Sequence, residues 1–483
     1  MHLTFFSSNN WASWGLGRRP LIPDGMPVLI DDDLLLEEDG ILRPAAVANL
    51  WLRELPVSGA PGRLTWKTYA HALRSWLEFL AERGVNPFSD RDELRSALSA
   101  FSEYRFSGPL AARWDEGTWD LNVNTVARFY AWAVDQGFCS AQPFTYAVVR
   151  RYTEAGVQQT RRNTATLRRA KAHSKVKYLD ADFRRLFLQG LGGLGPDGEP
   201  DGFRGRHLGR NAAMGRLVIS SGLRAQEFTH LLTYELPGLP PRRSTVPVRF
   251  PLAAQITKGK KARETWVSYE ALEEFWQYIE LDRAAVLLGR EYVPDQRLGP
   301  RLVISAPDWE GAKIDGRRVS WRKLTPEERL QLVTPEGTPA INAVQSNGSP
   351  FTDWATTFRR TSVRIRRDFE PRFPTVGPHL LRHTFAMATL EKLVKGHYAR
   401  AAALIADVDE DAALALYLTK QDPMLVLRDL LGHASVTTTE IYLQRLDVHR
   451  VYRDFYRGAN KYDGESAAEA AAEFDDEGDD AAW

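Results

Sequence analysis

The sequence predicts a mostly α-helical chain with one small β-hairpin, divided into an N-terminal helical domain and a larger C-terminal one. Three observations predict it. Apolar residues recur at helical spacing in two long stretches of the first third. A strongly basic segment without apolar periodicity follows them. Further on, a run of β-type residues brackets a Lys-Gly turn.

The elements follow in order. Residues 1–45 form an N-terminal arm that carries no recognisable chemistry. Residues 46–148 read as a helical domain. From Thr65 to Gly84, Trp66, Tyr69, Leu73, Trp76, Leu77 and Leu80 fall on one face, with Thr65 placed to cap the start and Gly84 to end it. From about Asn122 to Gln136, Val123, Val126, Phe129, Tyr130 and Ala133 form a second stripe, stopped by Gly137. These aromatics are expected in a core. Residues 149–177 hold nine Lys or Arg against the single acid Glu154 and read as a flexible basic linker. Residues 178–457 read as mostly helical, with the hairpin in VPVRFPLAAQITKGKKARETWVSY and insertions near 281–350 and 395–423. Residues 458–483 are an acidic tail, expected to be disordered.

Composition narrows the function. A single cysteine, Cys139, excludes an intramolecular disulfide and any cysteine-based zinc cluster. No apolar run approaches the roughly 20 residues that cross a bilayer, and no signal peptide is evident, so a cytoplasmic protein is expected. The net charge of +1 conceals an asymmetry. Nine of the 62 acids lie in the last 21 residues, which leaves the preceding 462 at a net +10. A body of that sign suits a polyanion such as DNA. Arg150, Arg151, Arg161, Arg162, Arg168, Arg169 and Lys171 are the candidate phosphate contacts in the basic segment.

Three blocks concentrate chemistry: SSGLRAQEFTHLL at 220–232, GPHLLRHTFA at 377–386 and LLGHASVTTTEIYL at 430–443. Each is weak alone. In this order, with a hairpin lysine between the first two, they resemble the tyrosine recombinase, or phage integrase, family. On that resemblance Arg224 is the first arginine, with Glu227 supporting it. Lys258 is the hairpin lysine, although Lys260 and Lys261 compete. His379 and Arg382 form the H-x-x-R pair, His433 follows Gly432, and Tyr442, nine positions further on, is the nucleophile. His383 is read as structural, and His230 and His397 as outside the chemistry. The helical domain is similar to the family's core-binding (SAM-like) domain, and the C-terminal domain to its catalytic domain.

The residue types suit the chemistry that the resemblance implies. A phosphodiester under attack gains charge on its non-bridging oxygens, which guanidinium groups bind in a bidentate fork. Arg224 and Arg382 are expected there, with His433 as a third donor. A phenol titrates near 10, so Tyr442 needs cationic surroundings and a proton acceptor, with His379 expected to help. Lys258 is the candidate acid for the leaving 5′-oxygen. The resemblance implies cleavage and rejoining of DNA strands through a 3′-phosphotyrosine, without ATP, metal or cofactor. The implied partners are double-stranded DNA at specific recombination sites and a homo-tetramer on DNA, with accessory proteins and without a membrane. The alternatives are a catalytically silent DNA-binding regulator and a type IB topoisomerase-like enzyme. Locally, Gly222 is expected between two helices, and Thr437 with Glu440 as a capping box ahead of Tyr442.

Overall fold

The computed structural model describes residues 1–9, 11–60, 62–153, 156–167, 177–295, 298–406, 423–433, 439 and 442, with side chains left aside at 151–158 and 395–406. The chain divides into two compact units, Met1–Ala172 and His173–Trp483. Among the described residues no helix is long and apolar enough to cross a membrane.

The first unit is a helical cluster with short antiparallel ribbons. Strands β1 (His2–Phe5) and β2 (Pro27–Ile30) pair, as do β3 (Glu37–Glu38) and β4 (Ile41–Leu42). Helices α1 (Pro44–Glu54), α2 (Arg63–Ala81), α3 (Arg91–Ser107) and α4 (Glu116–Asp135) bury the predicted stripes in one core. Trp66, Leu73, Trp76, Leu77, Leu80, Val123, Val126, Phe129, Tyr130 and Ala133 are all in it. Its polar tips are satisfied: Trp76 Nε1 donates to Tyr130 Oη at 3.0 Å, which in turn donates to Pro87 O at 2.9 Å. Two boundaries differ from expectation. Helix α2 starts at Arg63 behind Gly62, so Thr65 lies in its first turn instead of capping it. Helix α4 starts at Glu116, where Asp115 caps it by accepting from Thr118 N–H.

The basic segment differs more. Where a flexible linker was expected, β5 (Tyr146–Thr153) and β6 (Gly156–Asn163) pair as a hairpin, from Tyr146 opposite Asn163 to Thr153 opposite Gly156. Beyond it, Ala165 and Leu167 pack on the helical core, and Ala165 O accepts from Trp119 Nε1 at 2.9 Å.

The second unit is built around α6 (Leu208–Ser221), which packs against α5 (Ala181–Leu191), α8 (Tyr269–Gln277) and α12 (Pro378–Ala406). A short α7 (Ala225–Thr229) follows α6 after a tight break. The expected hairpin is β7 (Val248–Leu252) paired with β8 (Arg263–Val267). Helix α11 (Trp354–Asp368) covers α5, and α13 (Pro423–Leu431) packs on α12 and β8.

The 281–350 segment contains a continuation of α8 into α9 (Ala284–Leu287) and then a four-stranded sheet. Its strands are β9 (Leu302–Ser305), β10 (Gly311–Ile314), β11 (Arg317–Ser320) and, after α10 (Pro326–Gln331), β12 (Leu332–Val333), in the order β11-β10-β9-β12. Strand β12 runs parallel to β9. The sheet buries Ile304, Trp321 and Leu332 against Leu232 and Ile341. Thr233 N–H donates to Ala340 O and Asn342 N–H to Leu231 O, which tie it to the segment after α7. Most of the expected 395–423 insertion and all of the 458–483 tail lie outside the described residues.

Gly222 makes the break between α6 and α7 possible. Its φ is +65°, and a Cβ built there would meet Phe385 Cδ1 at 2.2 Å. Gly222→Ala is therefore expected to destabilise the folded chain by about 1–3 kcal/mol from the backbone alone. Denaturant unfolding by circular dichroism checks this, and an unchanged midpoint contradicts it.

Candidate active site

The site grows from one carboxylate. Glu227, in the first turn of α7, is 0% exposed. Its Oε2 accepts from the Arg224 backbone N–H at 2.7 Å and from Arg263 Nη2 at 2.6 Å. Its Oε1 accepts from Arg224 Nη1 at 3.1 Å and Arg263 Nε at 3.0 Å. Burial by itself would raise the Glu227 pKa. The Arg263 hydrogen bond and charge, then Arg224, outweigh that and hold it below the usual value.

Three guanidinium groups then meet the C-terminus of α13. Arg263 Nη1 donates to Leu430 O at 2.6 Å. Arg224 Nη2 donates to Leu431 O at 3.1 Å and approaches Gly432 O at 3.4 Å. Arg382, on α12, donates to Leu431 O through Nη2 and to Gly222 O through Nη1 at 2.5 Å. The last carbonyls of a helix have no intrahelical donor and carry its partial negative charge, so cations belong there. Arg382 is only 3% exposed. Burial, then the charges of Arg224 and Arg263, pushes its guanidinium down to about 9, which still leaves it charged at neutral pH.

Gly432, at φ +59°, turns the chain out of α13 to His433. The ring Nδ1 of His433 lies 2.9 Å from Thr439 Oγ1. Burial and the charges of Arg382 and Arg224 push its imidazole down to about 4. Tyr442 is 1% exposed, and its ring packs with Phe385, Leu390, Leu427 and Leu431. Its backbone N–H donates to Thr439 O at 3.0 Å. Burial raises the phenol to about 12, opposed by the charges of Arg382 and Arg224.

The phenol oxygen lies 2.8 Å from Nδ1 of His383. Burial, His379 and Arg382 push that imidazole down to about 4, so it is neutral at pH 7 and its Nδ1 can accept the phenol proton. Sequence reasoning assigned this partnership to His379 and left His383 as structural. In the structure His379 stands behind His383, ring centroids 4.4 Å apart at 72°. Burial lowers the His379 pKa, with Arg382, Arg224 and Lys258 adding to the effect. Arg263 was also missed. Nothing local marks it, whereas the R-H dipeptide after H-x-x could have directed attention to His383.

Lys258 lies in the exposed turn between β7 and β8. Thr257 Oγ1 shapes that turn by donating to Lys261 O at 2.6 Å, and Lys260 takes a φ of +53°. Thus Arg224, Arg382, His433 and Tyr442 come together, with His379 beside them, and the Lys258 charge helps to lower the His379 pKa. The basic candidates divide. Arg150 and Arg161 are exposed and share one face of the β5–β6 hairpin by register, with Arg161 5.5 Å from the Tyr146 ring centroid. Arg162 donates to Thr166 Oγ1 and Leu167 O, a structural role. Arg151 lies in β5. Arg168, Arg169, Lys171 and the Thr437–Glu440 capping box lie outside the described residues.

No family model matches the chain, and no curated protein matches it either. Among solved structures it is similar to the XerH site-specific recombinase bound to palindromic difH substrate, at 14% identity over 85% of this chain and 84% of that one, with a TM-score of 0.44. It is likewise similar to the Tn1549 transposon integrase in complex with transposon right end DNA, at 13% identity over 86% and 99%, TM-score 0.46. The lambda integrase dimer bound to a COC′ core site follows at 13% over 80% and 91%, TM-score 0.38. All three are tyrosine recombinases, the family that the sequence motifs resemble. At these scores the chemistry is read from the geometry of the site alone.

Two outcomes test that geometry. Glu227→Gln removes a fully buried charge paired with Arg263 and the part-exposed Arg224, and is expected to cost about 3–5 kcal/mol of stability in denaturant unfolding. Stability should also fall as pH drops from about 6.5 towards 4. Folded His383 and His433 refuse protons in this window that the unfolded chain accepts. Melting temperatures across this range should fall less steeply for His383→Gln/His433→Gln than for the parent, and equal slopes would count against the assigned shifts.

Proposed function

We propose that the chain is a tyrosine-type site-specific DNA recombinase, acting as an integrase or transposase. The observation that carries the reading is the convergence of Arg224, Arg382 and His433, with the phenol of Tyr442 hydrogen-bonded to a neutral imidazole. The phenol oxygen attacks a backbone phosphorus, the bond to the deoxyribose 5′-oxygen breaks, and a 3′-phosphotyrosine forms. Arg224, Arg382 and His433 donate to the non-bridging oxygens, where charge develops. The phenol proton passes to His383 Nδ1, with His379 behind it. Lys258 protonates the departing 5′-oxygen from its exposed turn. One phosphate ester is exchanged for another, so a new 5′-hydroxyl can reverse the step without ATP.

The burial of Tyr442 sets a condition. Its phenol, held at about 12 among apolar side chains, has to leave that packing to reach a duplex phosphate. A phosphate seated on Arg224 and Arg382 would also compete for guanidinium donors that now bind Leu431 O. Duplex DNA at specific sites is the substrate in this reading, with Arg150 and Arg161 as backbone contacts and four copies acting on paired sites.

Nicked duplexes carrying randomised sites test it. The protein is expected to give a denaturant-resistant protein–DNA adduct that is absent with Tyr442→Phe. Arg224→Ala or Arg382→Ala should slow its formation by about 10²–10³-fold. A protein that binds DNA but forms no adduct is a regulator, and an adduct that survives Tyr442→Phe removes the assigned nucleophile. Supercoil relaxation without sequence preference would favour a topoisomerase.

A further inference from the structure

A second concentration of positive charge lies at the other end of α6, where the α6 N-terminus, α11 and the 345–347 turn enclose a cleft of about 780 Å³. Five arginines line it: Arg206, Arg210, Arg360, Arg364 and Arg367. No Asp or Glu does so among the described residues. Arg360, Arg364 and Arg367 stand four and three residues apart on α11 and so share one face of it. Arg364 pairs with Asp201 and Arg367 with Asp368, neither of which lines the cleft. Arg206, Arg210 and Arg360 have no carboxylate within ion-pair distance among the described residues.

Arg210 is the telling member. It is 5% exposed, and its three side-chain nitrogens donate only to neutral acceptors: Asn211 Oδ1 at 3.1 and 2.8 Å, and Val344 O at 2.8 Å. Its guanidinium lies 3.7 Å from the Phe351 ring centroid, and that of Arg364 lies 3.9 Å from Phe203. Burial pushes Arg210 down to about 10, against its ordinary 12.5. A buried cation without a counter-charge is costly. Here it stands beside two further unpaired cations and His207, whose Nε2 lies 2.7 Å from Ser346 Oγ.

We infer that this cleft is a binding site for a small oligophosphate anion, either free or carried by a nucleotide. The volume lies in the range of small-ligand sites, about 300–1,000 Å³. Guanidinium forks suit phosphate oxygens, and the planar guanidinium group can itself stack on a base. The recessed position of Arg210 favours a small ligand over a duplex. A duplex could touch Arg206, Arg360 and Arg367 at the rim but could not enter to reach the floor. The site is separate from the Tyr442 cluster and does not depend on the reading of that cluster.

Calorimetric titration of the full chain with pyrophosphate and with ATP, at matched ionic strength and without divalent cations, tests this. Saturable one-to-one binding of at least one is expected, and the stronger binder tells a free oligophosphate from a nucleotide. The exposed pair Arg206→Ala/Arg360→Ala should weaken it about tenfold or more with an unchanged melting temperature, while Tyr442→Phe binds as the parent does. The inference is overturned if neither probe binds at millimolar concentration, or if binding survives the double substitution. It is equally overturned if the double substitution lowers only duplex DNA affinity, which would make the cleft a backbone contact.

Discussion

The buried carboxylate of Glu227 is the interaction on which the second unit's site depends. It pairs with Arg224 and Arg263 at once, leaving the trio one positive charge in excess, and fixes the backbone at the start of α7. Without it, three guanidinium groups, two of them largely buried, would meet with only backbone carbonyls as partners. With it, Arg224 and Arg382 are held close together despite their distance in sequence, and a helix terminus supplies the remaining acceptors. Such a cluster is pre-organised in that its guanidinium groups are held in fixed positions, with Arg224 and Arg382 both donating to Leu431 O.

That pre-organisation sets the titration of everything near it. Burial and adjacent cations act in the same direction on His379, His383 and His433, lowering all three and bringing the last two to about 4. On Tyr442 they act in opposite directions: burial raises the phenol, and the arginines lower it. Burial wins here because the ring sits among Phe385, Leu390 and Leu427. A phenol brought out of that apolar packing towards the guanidinium groups would lose the raising influence and keep the lowering one.

The 281–350 sheet shows how a segment of loop-like composition becomes part of a core. Arg329, in α10, is fully buried and donates through Nη2 to Glu235 Oε1 at 2.9 Å. Glu235 follows closely after α7. The sheet thus anchors the stretch that carries Arg224 and Glu227 from its far side, while α13 holds it from the other. Both ends of α6 carry arginine clusters, but they are compensated differently. The Arg224 end has Glu227 and helix carbonyls, whereas Arg210 has only amide and peptide oxygens.

Helical periodicity alone placed α2, most of α4 and their buried stripes, because a packed helix must repeat its apolar positions every three or four residues. The Lys-Gly turn placed the β7–β8 hairpin, and the three motif blocks placed Arg224, Arg382, His433 and Tyr442 in one site. The sequence did not show the β5–β6 hairpin, although YAVVRRYT holds β-branched and aromatic residues, because its charge hid them. It also pointed to His379 as the partner of the phenol, although His383 shares the same motif and helix turn and is the one that touches it. That choice belongs to the packing of Tyr442 against Phe385 and α13, a contact spanning 59 positions from His383. Arg263 was invisible for the same reason: its partners, Glu227 and Leu430, are distant along the chain. Residue type and spacing state which groups can do chemistry. Which of them touch is decided by non-local packing, because the energy of a buried charge depends on every neighbour the fold brings to it.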